Sequence, residues 1–315
     1  MPRLLGRTAL QIVALLFIVT ALVFALQSLV PGDAARAILG SSGDEQLYLQ
    51  LREKLGLDTP LWQQYLGYWG QVFHGSLGTT LTTGVPVLQT LIDRLPITLS
   101  LVVLSVLVSG TLGVLLGVAA ARGRRWTRTL ADVASLAGTA FPNFWLAILL
   151  ILGFAVAIPL FPATGYADFT DSPADWARSL VLPVIALSVG GVGLIAKTTR
   201  DGMLRALHSD FARTLRANGV TERRVVWAHA LKNSALLVLP ALSVSFIASL
   251  GGAVLIENVF ALNGLGSLVV SAVAAHEIYQ VLGVAILFTV IVGIVNLLVD
   301  VMHGLFDPRL RGGAS

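Results

Sequence analysis

The sequence predicts an all-α polytopic membrane protein with six transmembrane helices and a long first extracytoplasmic loop. Two observations carry that expectation. Of the 315 residues, 56% are hydrophobic and only 12% charged, about half the charged share of roughly 25% in soluble domains. The apolar residues also gather in blocks longer than the roughly 18 residues that cross a bilayer. A water-soluble globule, a disordered chain and a fibre are therefore excluded. The net charge of +4 is no sign of nucleic acid, because its distribution decides its meaning; no nucleic-acid partner is expected. The chain has no Cys, so disulfides and thiolate metal sites are excluded.

Charges and breakers bound the six spans at about residues 9–30, 97–121, 133–159, 180–199, 235–257 and 281–305. Arg3 and Arg7 before the first run, with Ala35-Arg36-Ala37 after it, resemble a cleaved leader. The run exceeds the usual ~7–15 residues of a leader's apolar region, so it is read as a retained helix. Pro96 is expected to open the second span, where a missing N–H costs nothing. Pro183 and Pro240 fall inside the fourth and fifth and are expected to kink them.

Sidedness follows from the basic residues. With the N-terminus in the cytoplasm, 16 of the 21 Lys and Arg lie on that side: Arg3 and Arg7, then Arg122, Arg124, Arg125 and Arg128, the run from Lys197 to Lys232, and Arg309 and Arg311. Eleven of the 17 acidic residues fall on the other side. The positive-inside rule then places both termini in the cytoplasm.

In the first outer loop Asp44 suits the cap of a helix to about Leu55, with Gly56 as its stop. Thr59 as cap and Pro60 at the first helical position predict a second helix. Its face of Leu61, Trp62, Tyr65, Leu66, Trp69, Val72 and Phe73 has helical spacing. That face either lies at the membrane interface, packing on the bundle, or docks an external partner. On the cytoplasmic side, 198–234 reads as a short helix, a break at Gly219 and another helix capped by Thr221. Phe211 and Leu215, four apart, share a face flanked by Arg213 and Arg216. A basic loop on anionic lipid is one reading; an exposed apolar face points rather to a protein partner.

No reactive constellation assembles. His74, His208, His229, His276 and His303 show no metal-ligand spacing. Gly40-Ser41-Ser42-Gly43 is read as a turn. Gly191 to Thr198 nearly matches a phosphate loop, but Ala196 replaces the second Gly, so its small residues are read as helix packing, as are Gly113 and Gly117. Asp300, one turn after Asn296, and Glu257 are the sparse charges near span ends. With no buried acidic relay and no internal repeat, an ion-driven carrier or channel is the weaker alternative. A membrane enzyme is weaker still.

Asp210 to Asn233 resembles the "EAA" coupling loop of bacterial ABC-importer permeases, in the version of dipeptide and oligopeptide systems. Asp210, Arg213, Thr214, Arg216, Ala217 and Gly219 match, as do Ala230, Leu231 and Asn233. Other stretches look like the same family: Val30-Pro31-Gly32-Asp33, Leu55-Gly56-Leu57-Asp58 with Pro60, Arg94-Leu95-Pro96, Phe141-Pro142-Asn143-Phe144-Trp145, Glu257-Asn258-Val259-Phe260 with Gly264-Leu265-Gly266, and Asp307-Pro308-Arg309. Leu215 and Asn218 depart from the pattern, where Ala and a basic residue are usual. The long first outer loop is similar to that of the B-type subunit.

The resemblance implies the type I ABC-importer permease fold and a passive half-channel for dipeptides or oligopeptides in the bacterial inner membrane. It implies a second, similar permease, two cytoplasmic ATPases holding ATP and Mg, and an extracytoplasmic substrate-binding protein; the chain itself would hold no cofactor or metal and catalyse nothing. Phe211, Arg213, Thr214, Leu215, Ala217 and Gly219 would contact the ATPase. On the irregularity of the Gly-rich segment 258–279 alone, Phe260, Gly264 and Gly266, with Glu257 just before them, and Trp62 and Trp69 would contact the binding protein or gate the path. Nickel, haem or another small solute is the alternative cargo. The expected organisation is 1–30 for the N-terminal end and first helix, 31–96 for the outer loop, 97–306 for a five-helix core with the coupling loop 198–234, and 307–315 for a tail.

Overall fold

The computed structural model describes residues 2–27, 29–30, 32–40, 44–123 and 125–306. Ser41, Ser42 and Gly43 of the expected turn, Pro31, Arg124 and the 307–315 tail lie outside the described residues. The first half runs α1 (Pro2–Gln27), α2 (Ala34–Leu39), α3 (Glu45–Lys54), α4 (Leu61–Phe73), α5 (Val87–Ala121), α6 (Arg125–Ala140) and α7 (Asn143–Ile151). The second runs α8 (Pro173–Leu207), α9 (Asp210–Ala217), α10 (Glu222–Arg224), α11 (Leu231–Val259), α12 (Leu265–Ala274) and α13 (Ile278–Phe306). Leu152–Ala157 and Val225–Ala230 are wider, π-helical turns. Among the described residues, helix is the only extended regular element. That is the economical answer in lipid, where each backbone polar group must be satisfied within its own segment.

Among the described residues, five helical stretches are long and apolar enough to cross a membrane: Thr8–Gln27, Val87–Ala121, Pro173–Leu207, Glu222–Val259 and Ile278–Gly304. The expected third span, 133–159, is broken at Phe141 and Pro142 into α6 and the shorter apolar stretch Asn143–Ala157. Pro142 is the N-cap of α7, and the residue before a proline is pushed out of helical geometry, so the break falls there.

Three local expectations need correction. Pro96 does not open its helix: α5 starts at Val87, and Pro96 sits inside it. The apolar side chains Val87 and Leu91 are buried with Leu265, Leu268 and Val284, which extends the helix through the proline. Thr59 does not cap α4, because its hydroxyl donates back to the Gly56 carbonyl at 2.8 Å and Pro60 takes the cap position. The segment 258–279 is not irregular throughout, since α12 occupies Leu265–Ala274. Asp44, by contrast, caps α3 through Gln46 N at 3.1 Å, and Gly56 takes φ +67°.

The described residues form two compact units: those up to Ile97 with Asn263–Ile294, and Thr98–Leu262 with those from Val295 to Phe306. In the first, α4 lies on α1. Tyr65 donates its hydroxyl to the Phe17 carbonyl at 3.0 Å, and the Trp69 and Phe17 rings are 4.3 Å apart. Tyr68 stacks on Tyr279 of α13. The outer-loop helix thus packs on the bundle, while its other face leaves Trp62, Leu66 and Phe73 exposed.

In the second unit α8 is central, packing along α11 and against α6 and α7. Of its apolar window 61% is buried, which no single-faced surface helix would reach. Glycines permit the approach. A Cβ on Gly193 would fall 2.5 Å from Ser135 Cα, and one on Gly117 2.6 Å from the Ala196 carbonyl oxygen. Gly113 and Gly191 are similarly blocked, by Ile195 and Ser245. The Gly191 to Thr198 stretch is thus a packing face of α8.

Gly193→Ala is expected to cost about 1–3 kcal/mol, the usual penalty of overpacking a tight contact, and to lower the thermal midpoint in detergent. Gly251→Ala, with nothing within 4 Å of the new Cβ, is expected to leave it unchanged.

Candidate functional site

α9 carries the residues expected to face a partner. It begins where α8 ends at Leu207, with Ser209 as N-cap. The Ser209 hydroxyl donates to the Ala206 carbonyl at 2.7 Å, and Thr214 donates to that of Asp210 at 3.0 Å. Ala212 is the buried residue of the helix, leaving Phe211, Arg213, Thr214 and Ala217 exposed and Leu215 half-buried. The Phe211 ring, 50% exposed, rests edge-on against His229 with centroids 5.9 Å apart.

The helix ends in a paired closure. Gly219 N donates to the Arg216 carbonyl at 3.0 Å and Val220 N to that of Leu215 at 3.1 Å, the Schellman pattern that needs a left-handed residue. Gly219 supplies it, with φ +77°. Thr221 stands at the N-cap of α10 as expected, though its side chain makes no capping bond.

Arg216 joins three elements. Its Nε and Nη2 donate to both carboxylate oxygens of Glu222 at 2.9 and 3.0 Å, while Nη1 donates to the Leu207 carbonyl at 3.1 Å. The Glu222 hydrogen bonds, opposed by slight burial and helped by charge, raise the Arg216 pKa above its ordinary value. The end of α8, the end of α9 and the start of α10 are thereby pinned to one guanidinium. Behind them Val225, Val226 and Ala230 are buried, Val226 and Ala230 packing with Val118, Met203 and Ala206. The sequence reading placed Arg216 on the flank and did not pair it; its Glu partner lies across a Gly break, outside helical spacing. It also passed over Trp227, which is 42% exposed in the π-helical turn that follows α10.

The residues expected to gate or to meet an outer partner divide by burial. Glu257 and Thr98 are fully buried, and Thr98 donates its hydroxyl to Glu257 Oε1 at 2.6 Å. Phe260 is 1% exposed, and its carbonyl accepts Gly165 N at 2.9 Å. Gly264 is the N-cap of α12, and both it and Gly266 are buried. Trp69 is buried against Phe17, whereas Trp62 is 60% exposed. Of these, Trp62 alone presents a side chain at the surface of its unit.

A carboxylate that the sequence reading did not single out organises the outer part of the first unit. Glu277, 3% exposed, accepts from Leu81 N at 2.7 Å, Thr82 N at 2.8 Å and the Thr82 hydroxyl at 2.6 Å. It follows His276, whose φ is +56°. Asp33 caps α2 through Arg36 N at 2.8 Å and accepts the Tyr48 hydroxyl of α3 at 2.7 Å. Burial pushes the Asp33 carboxyl up, but those hydrogen bonds and the charges of Arg52 and Arg36 outweigh it and hold it below its ordinary 3.8. Among the described residues no group of three His, Asp or Glu is placed to hold a metal ion.

Residues 113–312 match the model of the binding-protein-dependent transport system inner membrane component, and residues 1–102 match that of its N-terminal region. A candidate peptide transport system permease protein of Brucella abortus is 38% identical over 99% of both chains. The di/tripeptide transport system permease protein DppB of Pseudomonas aeruginosa is 36% identical over 94% of each. The dipeptide transport system permease protein DppB of Escherichia coli is 34% identical over 93% of this chain and 94% of that one. A chain of the MetNI methionine ABC transporter in inward-facing form has a similar fold. It has TM-score 0.53 and 16% identity, over 70% of this chain and 97% of that one.

Glu277→Ala is expected to release the 80–83 turn, since charge-assisted hydrogen bonds contribute about 1.5–3 kcal/mol each. Hydrogen exchange at the Leu81 and Thr82 amides should then rise while that of α8 stays constant. For Asp33 the sign follows from its lowered pKa: its stabilisation is complete above the ordinary carboxylate value and lost as pH falls through the lower folded one. The exchange-rate ratio of Asp33→Asn to the parent over 34–39 and 44–54 should exceed one at about pH 5 and fall toward one as pH drops through the lowered folded value.

Proposed function

The chain belongs to the binding-protein-dependent transport system inner membrane component family, and from that membership we propose that it forms half of the translocation path of an ATP-driven importer of dipeptides or oligopeptides. Near full-length similarity to peptide permeases carries this reading. It makes the chain a multi-pass protein of the bacterial inner membrane. An ion-coupled carrier or channel, or a nickel or haem cargo, is not favoured by those relatives.

In this reading the subunit is non-catalytic. ATP and Mg sit on two partner ATPases in the cytoplasm, a second similar permease completes the path, and an extracytoplasmic binding protein delivers peptide. Both termini lie in the cytoplasm, where the basic residues concentrate. The ATPase receives α9 through Phe211, Arg213, Thr214, Leu215 and Ala217, with Gly219 fixing where that helix ends. Their exposure, and the clamp that ties α9 to α8, support this assignment: closure of the ATPases around α9 is passed to α8 as rigid-body motion, the ordinary form of such transitions. On the outer side Trp62 is the exposed contact for the binding protein, and Trp69 supports its helix from beneath. Glu257 and Phe260, and separately Gly264 and Gly266 at the start of α12, act on the gate from positions buried in their own units.

Purification of the tagged chain in mild detergent should recover a second permease and two P-loop ATPases, with ATPase activity only in the assembled material. Recovery of the chain alone, active in ion-driven uptake, would refute the reading. Gly219→Val should preserve assembly but reduce peptide uptake relative to ATP hydrolysis, because a β-branched residue at positive φ costs roughly 1–3 kcal/mol. Unchanged uptake in that variant would remove Gly219 from the coupling contact.

A further inference from the structure

One face of α6 is left unpacked by its own unit. The helix buries Ala131 against Ala120 and Ala196, and Thr127, whose hydroxyl donates to the Ala119 carbonyl at 3.1 Å. Trp126, Leu130 and Val133 stand on the other side, 62%, 48% and 54% exposed. With Arg125 and Thr129 they line an open furrow of about 750 Å³. Arg122, Arg125 and Arg128 are exposed around its N-terminal end. Arg128 folds back over the Gly123 turn, its Nη2 3.7 Å from where a Cβ on that glycine would lie.

The charge at that end is unbalanced. Among the described residues none of the three arginines enters an ion pair. Of the nearby acids, Asp132 is engaged by Arg200 at 3.1 Å. Glu222, which feels the charge of Arg122, is engaged by Arg216 at 2.9 Å. The furrow is therefore positive at one end, apolar along its length and marked by an indole where the two meet.

We propose that this furrow binds an anionic phospholipid, with the phosphate at Arg125 and Arg128 and an acyl chain along Trp126, Leu130 and Val133. The guanidinium fork matches phosphate oxygens in geometry as well as charge. Indole rings settle at headgroup level, and the eight residues from Trp126 to Val133 give the chain roughly 10 Å of apolar wall. A second copy of this chain fits less well, since it would bring like charges together at the same end.

The test uses the full-length chain in phosphatidylcholine vesicles doped with brominated phosphatidylglycerol or brominated phosphatidylcholine. The Trp126 signal is the fluorescence difference between the parent and Trp126→Phe. Brominated phosphatidylglycerol should quench that signal at a several-fold lower mole fraction than brominated phosphatidylcholine. Arg125→Gln with Arg128→Gln should remove that several-fold preference, since each basic residue near an anionic surface is worth about fivefold, with helicity by circular dichroism unchanged. Arg223→Gln with Arg224→Gln removes the same charge elsewhere and should keep the preference. Equal quenching by both lipids, or equal loss in the two double variants, would overturn the site. So would absence of quenching by either lipid; because the parent has no Cys, disulfide formation between Trp126→Cys chains would then identify a second copy as the occupant.

Discussion

Close approach of helix backbones along α8 is the constraint on which its unit depends. Lipid tails are as apolar as leucine, so burying hydrophobic surface gives helices little reason to associate in a bilayer. Association then rests on dispersion contacts made at short range and on a few hydrogen bonds. Gly193 on the Ser135 backbone, Gly117 on the Ala196 carbonyl and Gly191 on Ser109 and Ser245 provide that range. The hydroxyl of Ser243 donates to the Asn296 side chain at 2.6 Å, and the Leu236 carbonyl meets His303 at 2.8 Å. These bonds hold α11 to the end of α13 with polar groups, where an apolar pair would have only dispersion to offer.

Much of this was legible because it is periodic or compositional. The apolar blocks located five membrane-length helices, Asp44 and Gly56 bounded α3, and Gly219 fell at the left-handed position its place in the sequence suggested. The errors share a cause, which is tertiary contact overriding a local signal. Pro96 is a strong start signal, yet burial of Val87 and Leu91 outweighs the lost hydrogen bond. Thr59 is a good cap residue, yet its hydroxyl finds the Gly56 carbonyl first. In 258–279 glycines suggested irregular chain, while Leu265, Leu268 and Ala272 are spaced for the buried face of a helix.

Polar pairings were harder to read, for a different reason. Glu277 reaches residues almost two hundred positions away, and Glu257 pairs with Thr98 at a similar separation. Nothing in local spacing announces such a bond. What the sequence did offer was scarcity: a carboxylate at the edge of an apolar block has to be satisfied if it is buried. That argument singles out both glutamates as structurally committed without naming their partners, which are hydroxyls and backbone amides that carry no pattern of their own. Trp227 was overlooked for the opposite reason, since an exposed indole next to a basic run carries no pattern that sets it apart.

A short helix transmits force only if its ends cannot fray, and α9 has eight residues, fewer than an isolated helix needs to persist in water. Its stability must come from its attachments. The Schellman closure fixes the last turn, Ala212 anchors one face, and Arg216 ties its end to both Leu207 and Glu222. A bidentate guanidinium–carboxylate pair resists rotation as well as separation, which a lysine at the same place would not. Displacing α9 therefore moves the end of α8 with it, and α8 is the helix against which α6, α7 and α11 are packed. Gly193 and Gly191 hold those helices in close contact, and close-packed interiors shift between discrete arrangements rather than deform continuously. The tightness of α8's packing and the rigidity of its link to α9 are thus two requirements of the coupling role proposed for α9.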